Sequence, residues 1–150
     1  SVAVMLEGVI NSNGLAWSLD NTRFYYIDTG LRRIDAFDFD VDAGTIGNRR
    51  TVVEVPEAMG KPDGMCIDNA GMLWTALFGG SGVARWNPET GEQVGFIGVH
   101  AENVTCCCFG GKDYETLYIT THGGGGGKGA GHLHAANPGV SGPKPFVFGG

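Results

Sequence analysis

The sequence predicts an all-β fold, a β-propeller of three four-stranded blades, on three observations. Its apolar segments are short, rich in β-branched and aromatic residues, and alternate with a period near two. Gly, Asp, Asn and Pro separate those segments, and 27 of the 150 residues are glycine, which suits a turn-rich chain rather than a disordered one. A unit of about 40 to 50 residues recurs three times, the length of one blade-like sheet.

The elements follow in order. A strand is predicted over residues 2–6. The first blade (8–55) takes strands at 14–17, 24–28, 33–40 and 50–55. The second (56–98) is the cleanest, with strands at 64–67, 73–78, 82–87 and 93–98. The third (99–150) takes 105–109, 116–121, 131–135 and 146–148. Turn chemistry at 20–21, 42–44, 69–71, 88–91 and 110–113 joins neighbouring strands as hairpins. No stretch shows the 3.6-residue period of an amphipathic helix. The chain reads as a single domain, 1–150, large enough for a real core. Three blades do not close a ring by themselves, because propellers use at least four.

Composition removes some functions. The net charge is −6, and no basic cluster exceeds Arg32-Arg33 or Arg49-Arg50, so nucleic acid is not an expected partner. No apolar run approaches the roughly 18–20 residues of a membrane helix, and the first eight residues lack the basic and apolar regions of a signal peptide. Cys66 and the run Cys106-Cys107-Cys108 have no zinc spacing and make a poor disulfide framework. They read as buried free thiols of a cytoplasmic, reducing compartment, with Cys106 and Cys108 on one strand face and Cys107 on the other. The sequon at Asn103 enters a strand and reads as accidental.

Two phrases carry the chemistry. Asn13-Gly14-Leu15-Ala16-Trp17 and Asp63-Gly64-Met65-Cys66-Ile67 each set an oxygen-bearing side chain before a glycine and an apolar run, fifty residues apart. Each is followed by a second acid, Asp20 or Asp68, and a second strand. An Asn and an Asp at equivalent places on adjacent blades can converge on one axial site. The blander reading makes them loop ends, with Gly14 and Gly64 forming turns. Thr105, at an offset of 42 from Asp63, opens the corresponding strand of the third blade.

Taken with Phe24-Tyr-Tyr-Ile-Asp-Thr, Asp35-Ala-Phe-Asp-Phe-Asp, Asn48-Arg-Arg, Leu73-Trp, Cys107-Cys-Phe-Gly-Gly and Leu117-Tyr-Ile-Thr-Thr, these phrases resemble the regucalcin family, also known as senescence marker protein, gluconolactonase or luciferin-regenerating-enzyme-like. The likeness runs from about Val4 to Phe148, over the C-terminal half of a family member. It implies half of a six-bladed propeller with one divalent metal on its axis. By that resemblance Asn13 and Asp63 are metal ligands and Asp63 is also the catalytic base. The family's third ligand, a Glu, and its substrate-orienting Arg and Asn lie in the other half and have no counterpart here.

Amide and carboxylate oxygens suit a hard cation, Ca²⁺ or alternatively Mg²⁺, with Mn²⁺ and Zn²⁺ as further candidates. A cation with open positions would polarise a lactone carbonyl and activate a nearby water. The expected function is therefore a metal-dependent lactone hydrolase acting on a small-molecule lactone, its site completed by a second half or a second copy in a homodimer. The alternatives are a non-enzymatic calcium-binding or scaffold protein, or a truncated fragment. His122, His132 and His134 read as satisfied or exposed histidines. The glycines of 123–129 mimic phosphate-binding spacings without the helix those need. Asp38, Asp40 and Asp42 imitate an EF-hand but lack its turn glycine and closing Glu, and read as a charged hairpin.

Overall fold

Each predicted repeat becomes an antiparallel meander in the computed structural model, which describes residues 2–145. The first sheet runs in the order β1 (Ser12–Trp17), β2 (Arg23–Asp28), β3 (Arg33–Asp40) and β4 (Thr45–Glu54). The second is β5 (Lys61–Ile67), β6 (Leu73–Phe78), β7 (Gly82–Trp86) and β8 (Gln93–Gly98). The third joins β9 (Val104–Gly110), β10 (Thr116–Thr121) and β11 (Leu133–Ala136). The fourth strand expected at 146–148 lies outside the described residues. Two three-residue 3-10 helices, Thr29–Leu31 and Glu57–Met59, were not expected; each follows a strand and turns the chain. The strand expected at 2–6 is irregular instead: Val2 and Val4 are exposed, and the segment pairs with no other strand among the described residues.

Strand alternation builds the packing between sheets. Tyr25, Ile27, Ile34 and Ala36 on one face of the first sheet meet Leu73, Leu77, Ala84 and Trp86 of the second. The opposite face of the second sheet, through Trp74, Ala76 and Val83, meets Val104, Cys107, Leu117 and Ile119 of the third. The central β6 is thus covered on both faces, which is why five of its six residues are buried and its sequence is almost wholly apolar.

Two faces remain uncovered by the described residues. On the first sheet, Trp17 lies tilted against Phe24 and edge-on to Phe39, and Phe24 stacks on Tyr26 and lies tilted against Phe37, with Leu15 and Trp17 left 48% and 37% exposed. On the third, Cys106, Cys108 and Tyr118 point away from the core, Tyr118 lying opposite Cys108 in the ladder. Aromatic area of this kind is what an adjoining blade would bury.

Buried carboxylates tie the sheets' corners. Asp68 has no exposure; its carboxylate accepts from the Ala70 and Met72 amides, the Trp74 indole at 2.9 Å and the Arg85 guanidinium at 2.7 Å. Asp35 is held by Arg33, Arg49 and the Thr51 hydroxyl. Asp20 stays exposed, where the Ser18 hydroxyl and the Thr22 backbone and hydroxyl lower its pKa to about 2. The second acids of the two phrases are therefore structural. The EF-hand mimic is a hairpin, as expected: Asp40 caps the amides of Asp42 and Ala43, and Asp38 pairs with Arg50.

Candidate functional site

The innermost strands β1, β5 and β9 lie side by side, and each carries one irregularity at its head. The register of β1 on β2 jumps between Ser12 and Leu15, and that of β5 on β6 between Pro62 and Met65. On β9 the jump leaves Thr105 as the extra residue, between Val104 opposite Thr121 and Cys106 opposite Thr120. These are β-bulges, which bend a strand and re-aim its side chains. Asn13-Gly14, Asp63-Gly64 and Thr105 occupy the three bulges, so Asn13 and Asp63 sit at equivalent places on adjoining sheets.

Gly14 and Gly64 are not turn residues. Both lie inside strands without the positive φ that turns demand of glycine. What they supply is room. A methyl group on Gly14 would sit 2.6 Å from the Met65 amide nitrogen and 2.7 Å from the Asp63 carbonyl oxygen. One on Gly64 would sit 2.5 Å from Cys106 Sγ and 2.7 Å from its Cα. Each inner strand thus leans its bulge directly on the next backbone, which brings Asn13 to Asp63.

The Asp63 carboxyl is half-buried, and burial pushes its pKa above the usual carboxylate range; the neighbouring Asn13 side chain offsets part of the rise. Among the described residues no Lys, Arg or His forms an ion pair with it. A half-buried carboxylate without a cationic partner, beside an amide oxygen, fits a hard divalent ion. The fit is partial, for the described residues contain no group of three His, Cys, Asp or Glu placed to hold a metal.

The first sheet positions both residues. The Thr29 hydroxyl donates to the Pro62 carbonyl at 2.7 Å, and Arg32 donates to the carbonyl of Gly60, fixing the entry to Asp63. Buried Asp28 accepts from the amides of Ile10, Asn11 and Gly30, fixing the approach to Asn13. Burial works against the Asp28 charge, but these amides outweigh it and hold its pKa below the usual value. Its contribution to stability is therefore full above about pH 4 and lost as pH falls through the lowered folded value. Asp28→Asn is expected to cost about 1–2 kcal/mol at pH 7. In urea titrations at several pH values, wild type and variant should converge below pH 4; a constant gap would contradict this account.

The remaining sequence candidates fall outside this site. His122 bonds Gly124 through Nδ1, and His134 bonds the Gly129 carbonyl at 3.0 Å. The strand expected at 131–135 begins only at Leu133, so His132 precedes it, its ring 6.1 Å from that of His134. Of the thiols only Cys107 is buried; Cys106 and Cys108 are exposed and Cys66 is half-buried, which corrects the expectation of buried thiols throughout. The alternation of the Cys run is as expected. Sequence reasoning missed Thr29 and Asp28, although the Asp28-Thr29-Gly30 run following a strand is a capping signal.

A model of the SMP-30/Gluconolactonase/LRE-like region matches residues 1–123. The regucalcin of Danio rerio is 50% identical over 121 residues, which cover 81% of this chain and 41% of that protein. A solved luciferin-regenerating enzyme superposes with a TM-score of 0.81 at 33% identity, covering 89% of this chain and 47% of that one. The calcium-binding protein regucalcin of Agrobacterium tumefaciens gives a TM-score of 0.78 at 23% identity, a likeness of fold, over 89% and 48%. The chain spans less than half the length of these relatives, and its architecture is that of half a six-bladed β-propeller. No helix among the described residues is long and apolar enough to cross a membrane.

Proposed function

The chain belongs to the SMP-30/gluconolactonase/LRE-like family, and from that premise we propose that it forms half of a divalent-metal-dependent lactone hydrolase. The observation that carries the reading is the pairing of Asn13 with Asp63 at the heads of adjoining inner strands, in a chain of this family. Asn13 and Asp63 hold the cation, and Ca²⁺ is the first to test, since the Agrobacterium relative is a calcium-binding protein. When bound there, the cation supplies Lewis-acid polarisation of the lactone carbonyl. Asp63 takes the proton of the attacking water. The Asn13 amide fixes the carboxylate's orientation.

Two side-chain donors leave a hard cation short of the six to eight oxygens that calcium prefers. Further donors therefore come from water and from whatever covers the aromatic face of the first sheet and the Tyr118 face of the third. A second copy related by a two-fold axis would set each face against the other, giving six sheets in a ring. Light scattering on a gel-filtered sample is expected to give about twice the 15.7 kDa chain mass. A folded monomer would remove the homodimer and leave a separate N-terminal half as the completing part.

Tight, Asp63-dependent calcium binding without hydrolysis of any lactone would favour the non-enzymatic reading. That reading draws on the two-donor site.

A further inference from the structure

We propose that Cys66 and Cys107 form an oxidisable thiol pair, which a small-molecule disulfide converts to a covalent staple between the second and third sheets. The thiols come from different innermost strands, β5 and β9, and their sulfurs lie 3.7 Å apart, in contact but unbonded. The backbones are already close at this point, since Gly64 packs directly on Cys106. A short approach of the two side chains reaches bonding distance without parting the sheets.

The two sulfurs differ in access. Cys66 opens onto a cleft of about 400 Å³ that Leu15, Trp17, Met65 and Cys108 also line, room enough for a small disulfide. Cys107 is 3% exposed, packs in the core with Trp74 and Leu117, and donates its S–H to the Trp74 carbonyl at 3.4 Å. The hydrogen bond with Cys66 and burial both keep the Cys107 thiol protonated. Entry is therefore at Cys66. Its thiolate attacks one sulfur of the reagent, RS–SR, forming a mixed disulfide and releasing RS⁻, which takes up the Cys66 proton. The Cys107 sulfur then attacks Cys66 Sγ, breaking the mixed disulfide and releasing a second RSH. Two protein thiols are oxidised, one reagent disulfide is reduced to two thiols, and no other electron acceptor is needed.

The bond closes a loop from residue 66 to residue 107 and ties together the strands that carry Asp63 and Cys106. Its effect is constraint of the unfolded chain, expected as a rise in Tm of about 10 °C. Cys106 and Cys108 are exposed neighbours on the other strand face, Cys108 lining the cleft of Cys66 and Cys106 packing on Gly64, so both compete for the reagent and are removed in the decisive variant.

The test uses hydroxyethyl disulfide on the full chain and on a C106S/C108S variant, which retains the pair. Expected are the loss of both remaining thiols in C106S/C108S, and in both proteins an intramolecular Cys66–Cys107 cross-link in peptide mass mapping and the Tm rise; in the wild type the exposed Cys106 and Cys108 also take up reagent. C66S added to C106S/C108S should abolish all three. Two titratable thiols in C106S/C108S after treatment, a Cys66 disulfide mapped to Cys106 or Cys108 in the wild type, or a stable adduct on Cys66 that never resolves onto Cys107 would each overturn the proposal. None of these readouts depends on metal or lactone.

Discussion

Asp63→Asn is expected to lower metal-dependent lactone hydrolysis by about 10³-fold and to remove measurable divalent-cation binding. The change keeps the side chain's shape and its place in the β5 bulge, and takes away the charge and the proton acceptor together. It should not unfold the protein. Burial raises the Asp63 pKa, so at neutral pH the ionised carboxylate works against folding, and a neutral amide relieves that cost. Stability of the metal-free variant should thus equal or slightly exceed wild type at pH 7, while binding and turnover collapse. Calorimetric titration with Ca²⁺, Mg²⁺, Mn²⁺ and Zn²⁺, beside a lactonase assay with each, separates the effects. Asn13→Ala should weaken binding by about tenfold, because it removes one neutral donor and leaves the charge. Hydrolysis undiminished in Asp63→Asn would exclude this residue as base.

Much of this was legible in the sequence, and the exceptions have identifiable causes. β3, β6, β8 and β10 begin and end where alternation and turn residues place them, because each lies in a sheet with a buried face that enforces the period. β4 begins at Thr45 rather than residue 50: its polar opening pairs with Phe39 and Asp40 on the sheet's outer edge, where solvent removes the alternation. β5 begins at Lys61 rather than residue 64, for Pro62 and Gly64 read as breakers. Pro62 is tolerated because β5 is the edge strand of its sheet. Asn13 and Asp63 were visible as a repeated phrase. Why a glycine follows each was not, since the reason lies in the neighbouring sheet, outside the reach of local turn chemistry. The clamp by Asp28 and Thr29 was hidden for the same reason: Thr29 acts on Pro62, in the next sheet. Donors contributed by another half or another chain leave no mark in these 150 residues.

Gly64→Ala is accordingly expected to cost about 3 kcal/mol, a large penalty for one methyl group. Ordinarily this replacement in a strand stabilises, by reducing the freedom of the unfolded chain. Here the methyl would meet Cys106 at three atoms, all within 2.7 Å, two of them Cα and Cβ that no rotamer change can move. The second and third sheets must part, and the Asp63 bulge shifts with them, so cation affinity should fall together with stability. Gly47→Ala is the control, since Gly47 lies on β4 with nothing within 4 Å and no positive φ. It should change stability by less than about 1 kcal/mol, in the stabilising direction. Urea unfolding of both variants, with cation titration of each, checks the pair. If Gly64→Ala matches Gly47→Ala in stability, the sheets separate freely and the close packing does not hold Asp63 against Asn13. If stability falls while affinity stays, the glycine serves packing alone, and the bulge sets the carboxylate by itself.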